Sequence, residues 1–315
     1  MNPDTCPDEP LFRFLQMNDM HITMQALKSS ALAKGYPGKN ERARWLINAI
    51  KEGVSFQKLR FILGLGDLVD GETPQEIGNE LKGLKTLMRE TGLPFYPLMG
   101  NHEVHQQEGS PVWEASFLTA FDEHKASYTF QYDGIQFIML NNSGTGCVTR
   151  EVYDARTQWL RSTLESSPIP KIICCHVPLI SVRDPSVLAE SFGFTTYYTL
   201  EPEILELVHQ YAGSILAVLS GHLHLTGVVF DRSICHISIS GTASYPSDFA
   251  IYSVFKDRIE VEVTPVPENL LTPETNIHGR QRHGRDFVDD QHPTHAEYIG
   301  GNAQERTFTI PMKLV

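Results

Sequence analysis

"LMGNHEVHQQ", residues 98–107, is the stretch on which the fold turns. The apolar run Phe95, Tyr96, Pro97, Leu98, Met99 gives way in one step to Gly100-Asn101-His102-Glu103. A buried strand of an open α/β sheet ends in this way, and such strand ends are where these sheets bind ligands. Gly and Asn are also ordinary turn residues, so the four residues alone describe a turn. Repetition of the pattern along the chain gives it meaning.

Working outward, apolar runs read as strands at 12–17, 59–65, 95–99, 128–132, 136–141, 171–175, 215–219, 227–230, 234–239, 249–255 and 258–265. Helical patterns fall at 40–52, 74–91, 111–125, 154–166 and 201–211. Pro74, Pro111 and Pro202 stand near helix starts, where a missing N–H is harmless, and Asp154 reads as an N-cap. Asp133-Gly134 is a hairpin signal. Alternating strands and helices followed by a strand-rich half predict an α/β sandwich, two packed sheets with helices outside. From residue 268 the composition turns polar and rich in His, Gly and Asp. We expect one domain over 1–267 and a surface extension over 268–315, with "RTFTIPMKL" as a last strand docking on the body.

The chain of 315 residues is 41% hydrophobic and 20% charged, ample for a sizeable core. Its net charge of −12 argues against a nucleic-acid polymer as partner. A small anionic substrate stays compatible with that charge, because a metal supplies local positive charge. Five cysteines (Cys6, Cys147, Cys174, Cys175 and Cys235) without a C-x-x-C read as reduced thiols. With no apolar stretch of membrane length and no signal-like N-terminus, the expected location is cytoplasmic, without membrane contact.

Five strand ends carry the chemistry. Asn18-Asp19-Met20-His21, Gly66-Asp67-Leu68-Val69-Asp70, Gly100-Asn101-His102-Glu103, His176-Val177-Pro178 and Gly221-His222-Leu223-His224 each follow an apolar run. In extended chain, residues two apart share a face, so Asp19 and His21 can grip one ion, and His222 and His224 likewise. Asp, His and Asn without Cys suit zinc, manganese or iron. The set is too large for one tetrahedral ion and suits two ions about 3.5–4 Å apart.

The order D-x-H … G-D-x-x-D … G-N-H-E … H … G-H-x-H resembles the calcineurin-like metallophosphoesterase family. Within it, the chain is most similar to the bacterial class III cyclic-nucleotide phosphodiesterase and glycerophosphodiesterase branch. The motifs span residues 19–224. The resemblance implies a four-layer αββα sandwich of two mixed sheets flanked by helices. It assigns Asp19, His21 and His224 to a first divalent ion, Asn101, His176 and His222 to a second, and Asp67 to both. It makes His102 the group facing the leaving oxygen and Asp70 its orienting partner, with Glu103 supporting the turn. It implies a phosphohydrolase using a metal-bridging hydroxide. Gly71 stands where many members carry Arg, so a cation is expected from elsewhere.

The segment 181–202 reads as a loop, either a lid or wall over the substrate, with Arg183, Phe192, Phe194, Tyr197 and Tyr198 as substrate-binding residues, or a loop whose aromatics pack on the body. Its aromatics and the lack of Arg or Lys in the motif turns favour a small phosphodiester, such as a cyclic nucleotide, over a monoester. The alternatives are a phosphomonoesterase of the same fold and a non-catalytic metal-binding sensor. The tail histidines at 278, 283, 292 and 295 lack tight pairing and read as structural, and a homo-oligomer is left open.

Overall fold

The computed structural model describes residues 9–24, 36–53, 56–105, 107–122, 124–144, 148–193 and 202–313. Its strands are β1 (Phe12–Met17), β2 (Leu59–Leu65), β3 (Phe95–Leu98), β4 (Tyr128–Tyr132), β5 (Ile135–Met139) and β6 (Lys171–Cys174). They continue as β7 (Ile215–Ser220), β8 (Gly227–Asp231), β9 (Ile234–Ser238), β10 (Asp248–Val254), β11 (Arg258–Pro265) and β12 (Thr307–Pro311). The helices are α1 (Lys39–Glu52), α2 (Pro74–Arg89), α3 (Pro111–Ala120), α4 (Arg150–Glu165) and α5 (Pro185–Phe192). Then come α6 (Pro202–Gln210) and three short ones, α7 (Arg280–His283), α8 (His295–Gly300) and α9 (Ala303–Arg306).

Two six-stranded mixed sheets result, in the orders β12-β11-β10-β1-β2-β3 and β4-β5-β6-β7-β9-β8. Strand alternation assigns each face. Phe12 and Phe14 of β1 point between the sheets, whereas Leu15 and Met17 belong to the outer face. The inter-sheet core is aromatic at its centre: Phe14 stacks on Tyr252 at 4.5 Å and on Phe61 at 5.2 Å. Phe137 of the facing sheet meets Phe14 edge-on at 5.3 Å. Cys174 faces this core and Cys175 the opposite side, as neighbours on an extended chain must.

Helices cover the outer faces. Ile77, Leu81, Leu84 and Met88 of α2 recur at helical spacing and are buried against the first sheet together with α1 and α3. Leu160 and Leu164 of α4 and Ile204, Leu207 and Val208 of α6 do the same on the second sheet. The architecture is therefore the four-layer αββα sandwich. No helix among the described residues is long and apolar enough to cross a membrane.

Three local expectations change. The first turn of α4 is capped by Thr149, whose side chain accepts from the Val152 N–H, while Asp154 pairs with Arg150 one turn away. The 181–202 segment is not all loop. Asp184 accepts from the Ser186 and Val187 N–H groups, Pro185 opens α5, and left-handed Gly193 closes it. The 268–315 segment is more than a surface strip: Phe287, Tyr298 and Ile299 form a small core of their own, and β12 pairs antiparallel with β11.

Candidate metal centre

All five polar turns emerge from the carboxyl ends of β1, β2, β3, β6 and β7, in adjacent sheets. Asp19, His21, Asp67 and His224 offer ligand atoms within 4.8 Å of one another, and so do Asp67, His176 and His222. Asp67 belongs to both groups. Its Oδ2 lies 3.3 Å from His176 Nε2 and 3.7 Å from His21 Nε2. Asn101 Oδ1 completes the second group, 3.1 Å from His176 Nε2 and 2.9 Å from His222 Nδ1.

The hydrogen bonds behind these side chains fix which atoms face inward. His21 Nδ1 is held by Asp70 Oδ1 at 2.8 Å, and His224 Nδ1 by Ser244 Oγ at 2.7 Å. Their Nε2 atoms are left facing each other at 3.3 Å. His176 Nδ1 donates to the Leu65 carbonyl at 2.8 Å, which also frees its Nε2. Asp19 Oδ2 accepts from Asn18 Nδ2 and the His222 N–H, yet the buried Asp19 Oδ1 accepts no hydrogen bond among the described residues. An orphaned buried carboxylate oxygen, 3.3 Å from His224 Nε2, fits a cation's place. The donor set, nitrogen and oxygen only, fits divalent metal ions.

The field has the matching sign. Burial opposes charge on Asp67 and Asp19, but the surrounding imidazoles hold both carboxyls below the usual range. Burial likewise works against His176 and His102, and the Asp67 carboxylate outweighs it, lifting them to about 9 and about 10. A site that draws protons this strongly draws cations in their place, and ion binding then releases those protons.

Glu103 is the hidden part of the GNHE turn. Its buried carboxylate accepts four backbone N–H groups: Leu68 at 2.7 Å, Val69 at 2.9 Å, Asp67 at 2.9 Å and Gly100 at 2.6 Å. It clasps the turn carrying Asp67 to the turn carrying Asn101. The glycines are required by close approach: a Cβ at Gly100 would lie 2.2 Å from Asp67 Oδ1, and one at Gly66 2.4 Å from His176 Nδ1.

His102 lies outside the two buried groups that share Asp67, but with His21 and Asp70 it forms a third, partly exposed group of metal-ligand type. Its Nδ1 is 3.0 Å from Asp70 Oδ1, its Nε2 is 4.0 Å from Asp67 Oδ2, and its side chain is 47% exposed. Unlike the buried ligand side chains, it is open to solvent. Arg183 is not. It is buried, bonded to Glu305 at 2.8 Å and to the carbonyls of Tyr298, Val182 and Thr226, so it cannot meet a phosphate. It follows His176 by seven residues in the chain, but its donors find internal acceptors. Phe192 is buried too, its ring 5.4 Å from His222 and 5.7 Å from His278, a wall behind the ligands. Phe194, Tyr197 and Tyr198 lie outside the described residues.

Two residues without any motif join the site. Tyr36, half-buried, stacks on His224 at 5.0 Å and approaches His21 at 5.2 Å. Lys39 places Nζ 2.6 Å from Asp70 Oδ2. The Pro-Gly turn before a helix, at 37–38, was the available signal. Among the tail histidines, His278 is buried beneath the ligand turn, bonded to the Leu223 carbonyl, and His292 bridges Asp289 and Glu305. None of the four joins a metal-type cluster among the described residues.

Comparison with known proteins agrees with this construction. The family model for calcineurin-like phosphoesterases matches residues 12–225. A probable cyclic nucleotide phosphodiesterase of Psychrobacter arcticus is 27% identical over 175 residues, 53% of this chain and 61% of that protein. A 3',5'-cyclic-nucleotide phosphodiesterase of Nostoc sp. is 30% identical over 172 residues, 53% of this chain and 56% of that protein. The chain thus spans less than two thirds of the length of these curated relatives. A dimetal phosphatase from Danio rerio shares the fold with a TM-score of 0.59 at 16% identity, over 82% of this chain and 98% of that one. A purple acid phosphatase from yellow lupin gives 0.59 at 13% identity, over 83% and 52%. With its strand-end turns inside the matched region and the fold in common, the chain belongs to the calcineurin-like phosphoesterase family.

Proposed function

We propose that this chain is a dinuclear, metal-dependent phosphodiesterase acting on a small phosphodiester, a cyclic nucleotide foremost. The observation that carries the reading is the pair of buried ligand groups sharing Asp67. Asp19, His21 and His224 would hold one ion, Asn101, His176 and His222 the other. When bound, the two ions supply Lewis-acid polarisation of the phosphoryl oxygens and an activated nucleophile at neutral pH.

The chain's own groups do the rest. His102, exposed and held at Nδ1 by Asp70 Oδ1 at 3.0 Å, is the chain's group placed to bring a proton to the substrate. It donates that proton to the leaving oxygen, a general-acid role. Asp70 fixes the ring through Nδ1. The named relatives support a cyclic nucleotide as substrate class, and the scarcity of arginine and lysine in the motif turns supports a singly charged diester.

The test is elemental analysis of Mn²⁺-loaded protein beside a kcat/KM panel of cyclic AMP, bis(p-nitrophenyl) phosphate, glycerophosphocholine and p-nitrophenyl phosphate. Two ions per chain and a diester preference are expected. A monoester preference above about tenfold, roughly 1.4 kcal/mol of transition-state binding, would overturn the diester assignment. His102→Ala should keep both ions and lose about 10²–10⁴-fold in rate. Loss of an ion in that variant would reassign His102 as a ligand.

A further inference from the structure

We infer that Lys39 is a positioning residue of this site, acting through Asp70 on two imidazoles at once. The argument starts at Asp70, which has only two oxygens and three partners. Oδ1 meets His21 Nδ1 at 2.8 Å and His102 Nδ1 at 3.0 Å. Oδ2 meets Lys39 Nζ at 2.6 Å. One of those imidazoles belongs to a ligand group and the other is the proposed acid. The orientation of Asp70 therefore sets both rings, and the ammonium sets Asp70.

Lys39 is built in, not draped across. Its side chain is 2% exposed, an unusual state for lysine, which is buried only when paired. It occupies the first position of α1, after Gly38 in the left-handed region at φ 73°. Arg42, fully buried, holds the preceding turn through the Pro37 carbonyl at 2.9 Å and reaches the Thr242 carbonyl at 2.6 Å. Asn40 bonds the backbone of Thr23 in both directions, at 3.1 and 3.0 Å. The start of α1 is thus locked to the chain leaving β1, which carries Asp19 and His21. No Lys or Arg stands in the five motif turns, so the cation facing Asp70 comes from this separate segment.

This inference rests on the two-ion reading above, and the experiment separates the two. Mn²⁺ binding to Lys39→Met and wild type is measured by titration, and rates at saturating Mn²⁺ are compared on diesters with p-nitrophenolate and alkoxide leaving groups. Wild type should bind two ions. In Lys39→Met one of the two should bind about 10–100-fold more weakly, the range for groups that orient ligands. The remaining rate loss should fall on the alkoxide substrates, which need the acid, and spare p-nitrophenolate. Asp70→Asn should show the same pattern, and adding Lys39→Met to it should change little. Unchanged affinity for both ions, a loss uniform across leaving groups, or losses that multiply in the double variant would each overturn the role of Lys39. If Lys39→Met does not fold, Lys39→Gln, which removes the charge facing Asp70, is put through the same measurements and should show smaller losses of the same pattern, their absence again overturning the role. A wild-type protein that binds fewer than two ions would instead refute the two-ion reading.

Discussion

Glu103→Gln isolates what the last residue of the GNHE turn contributes. The change keeps size and shape and removes one acceptor atom. Oε1 serves Leu68 and Val69, and Oε2 serves Asp67 and Gly100, so whichever oxygen becomes an amide nitrogen turns N–H towards two N–H donors. Two charge-assisted hydrogen bonds are lost, each worth roughly 1.5–3 kcal/mol, in a site without room to relax. Burial, with Asp67 beside it, pushes the carboxyl up to about 7, while the N–H donors pull it down. A proton on either oxygen would take up a lone-pair direction that these donors use, so a cradle of four N–H groups favours the carboxylate. The expected destabilisation is about 3–6 kcal/mol, a large share of a typical domain's stability. Because both clasped turns carry ligands, Mn²⁺ affinity should fall with it. Urea melts of metal-free and Mn²⁺-loaded protein read the two effects separately. A loss under about 1 kcal/mol with both ions held as in wild type would refute the clasp.

Three further outcomes are expected. His236 is buried with neither ring nitrogen hydrogen-bonded among the described residues, and burial pushes it down to about 4. As pH falls from about 6.5 to 4 the unfolded chain takes up a proton that the folded one refuses, removing up to about 3 kcal/mol; in urea melts His236→Leu should gain on wild type steadily over that window, and a pH-independent difference would contradict this. Arg183→Met should leave Glu305 buried beside one partner fewer and destabilise by about 3–5 kcal/mol, with KM unchanged in the folded fraction; a raised KM without lost stability would restore Arg183 to the substrate side. Asp67→Ala should drop Mn²⁺ content below two per chain by elemental analysis, since both ligand groups lose their common member.

Much of this was legible because strand-end turns leave local marks. β1, β2, β4 and β11 begin and end where their apolar runs do, and the five polar turns meet as the αββα reading requires. What stayed hidden depends on contacts distant in sequence. Lys39 is 31 residues from Asp70 and lies in no apolar or motif pattern. Arg183 reads as a free cation on a loop, and only the Glu305 carboxylate, 122 residues on, shows why it is not. The helix at 185–192 escaped because eight residues give too little periodicity, although Asp184, Pro185 and Gly193 are ordinary helix punctuation.

The backbone at the site says why so many non-ligands matter. Asp19, His21, Asp67, His222 and His224 all adopt positive φ, at 45°, 49°, 49°, 69° and 53°. Asp and His tolerate the left-handed region better than most residues but still prefer to avoid it. Such conformations persist only where the surroundings over-determine them. Here the surroundings are identifiable: Glu103 grips the N–H groups around Asp67, and the Gly66 carbonyl accepts from Asp19 N at 3.0 Å. Ala243 N donates to the Asp19 carbonyl at 2.9 Å, and Arg42 bonds the carbonyls of Thr242 and Ala243 from behind. The inward-facing atoms are therefore oriented by these protein contacts, which makes the supporting residues as sensitive to substitution as the ligands themselves.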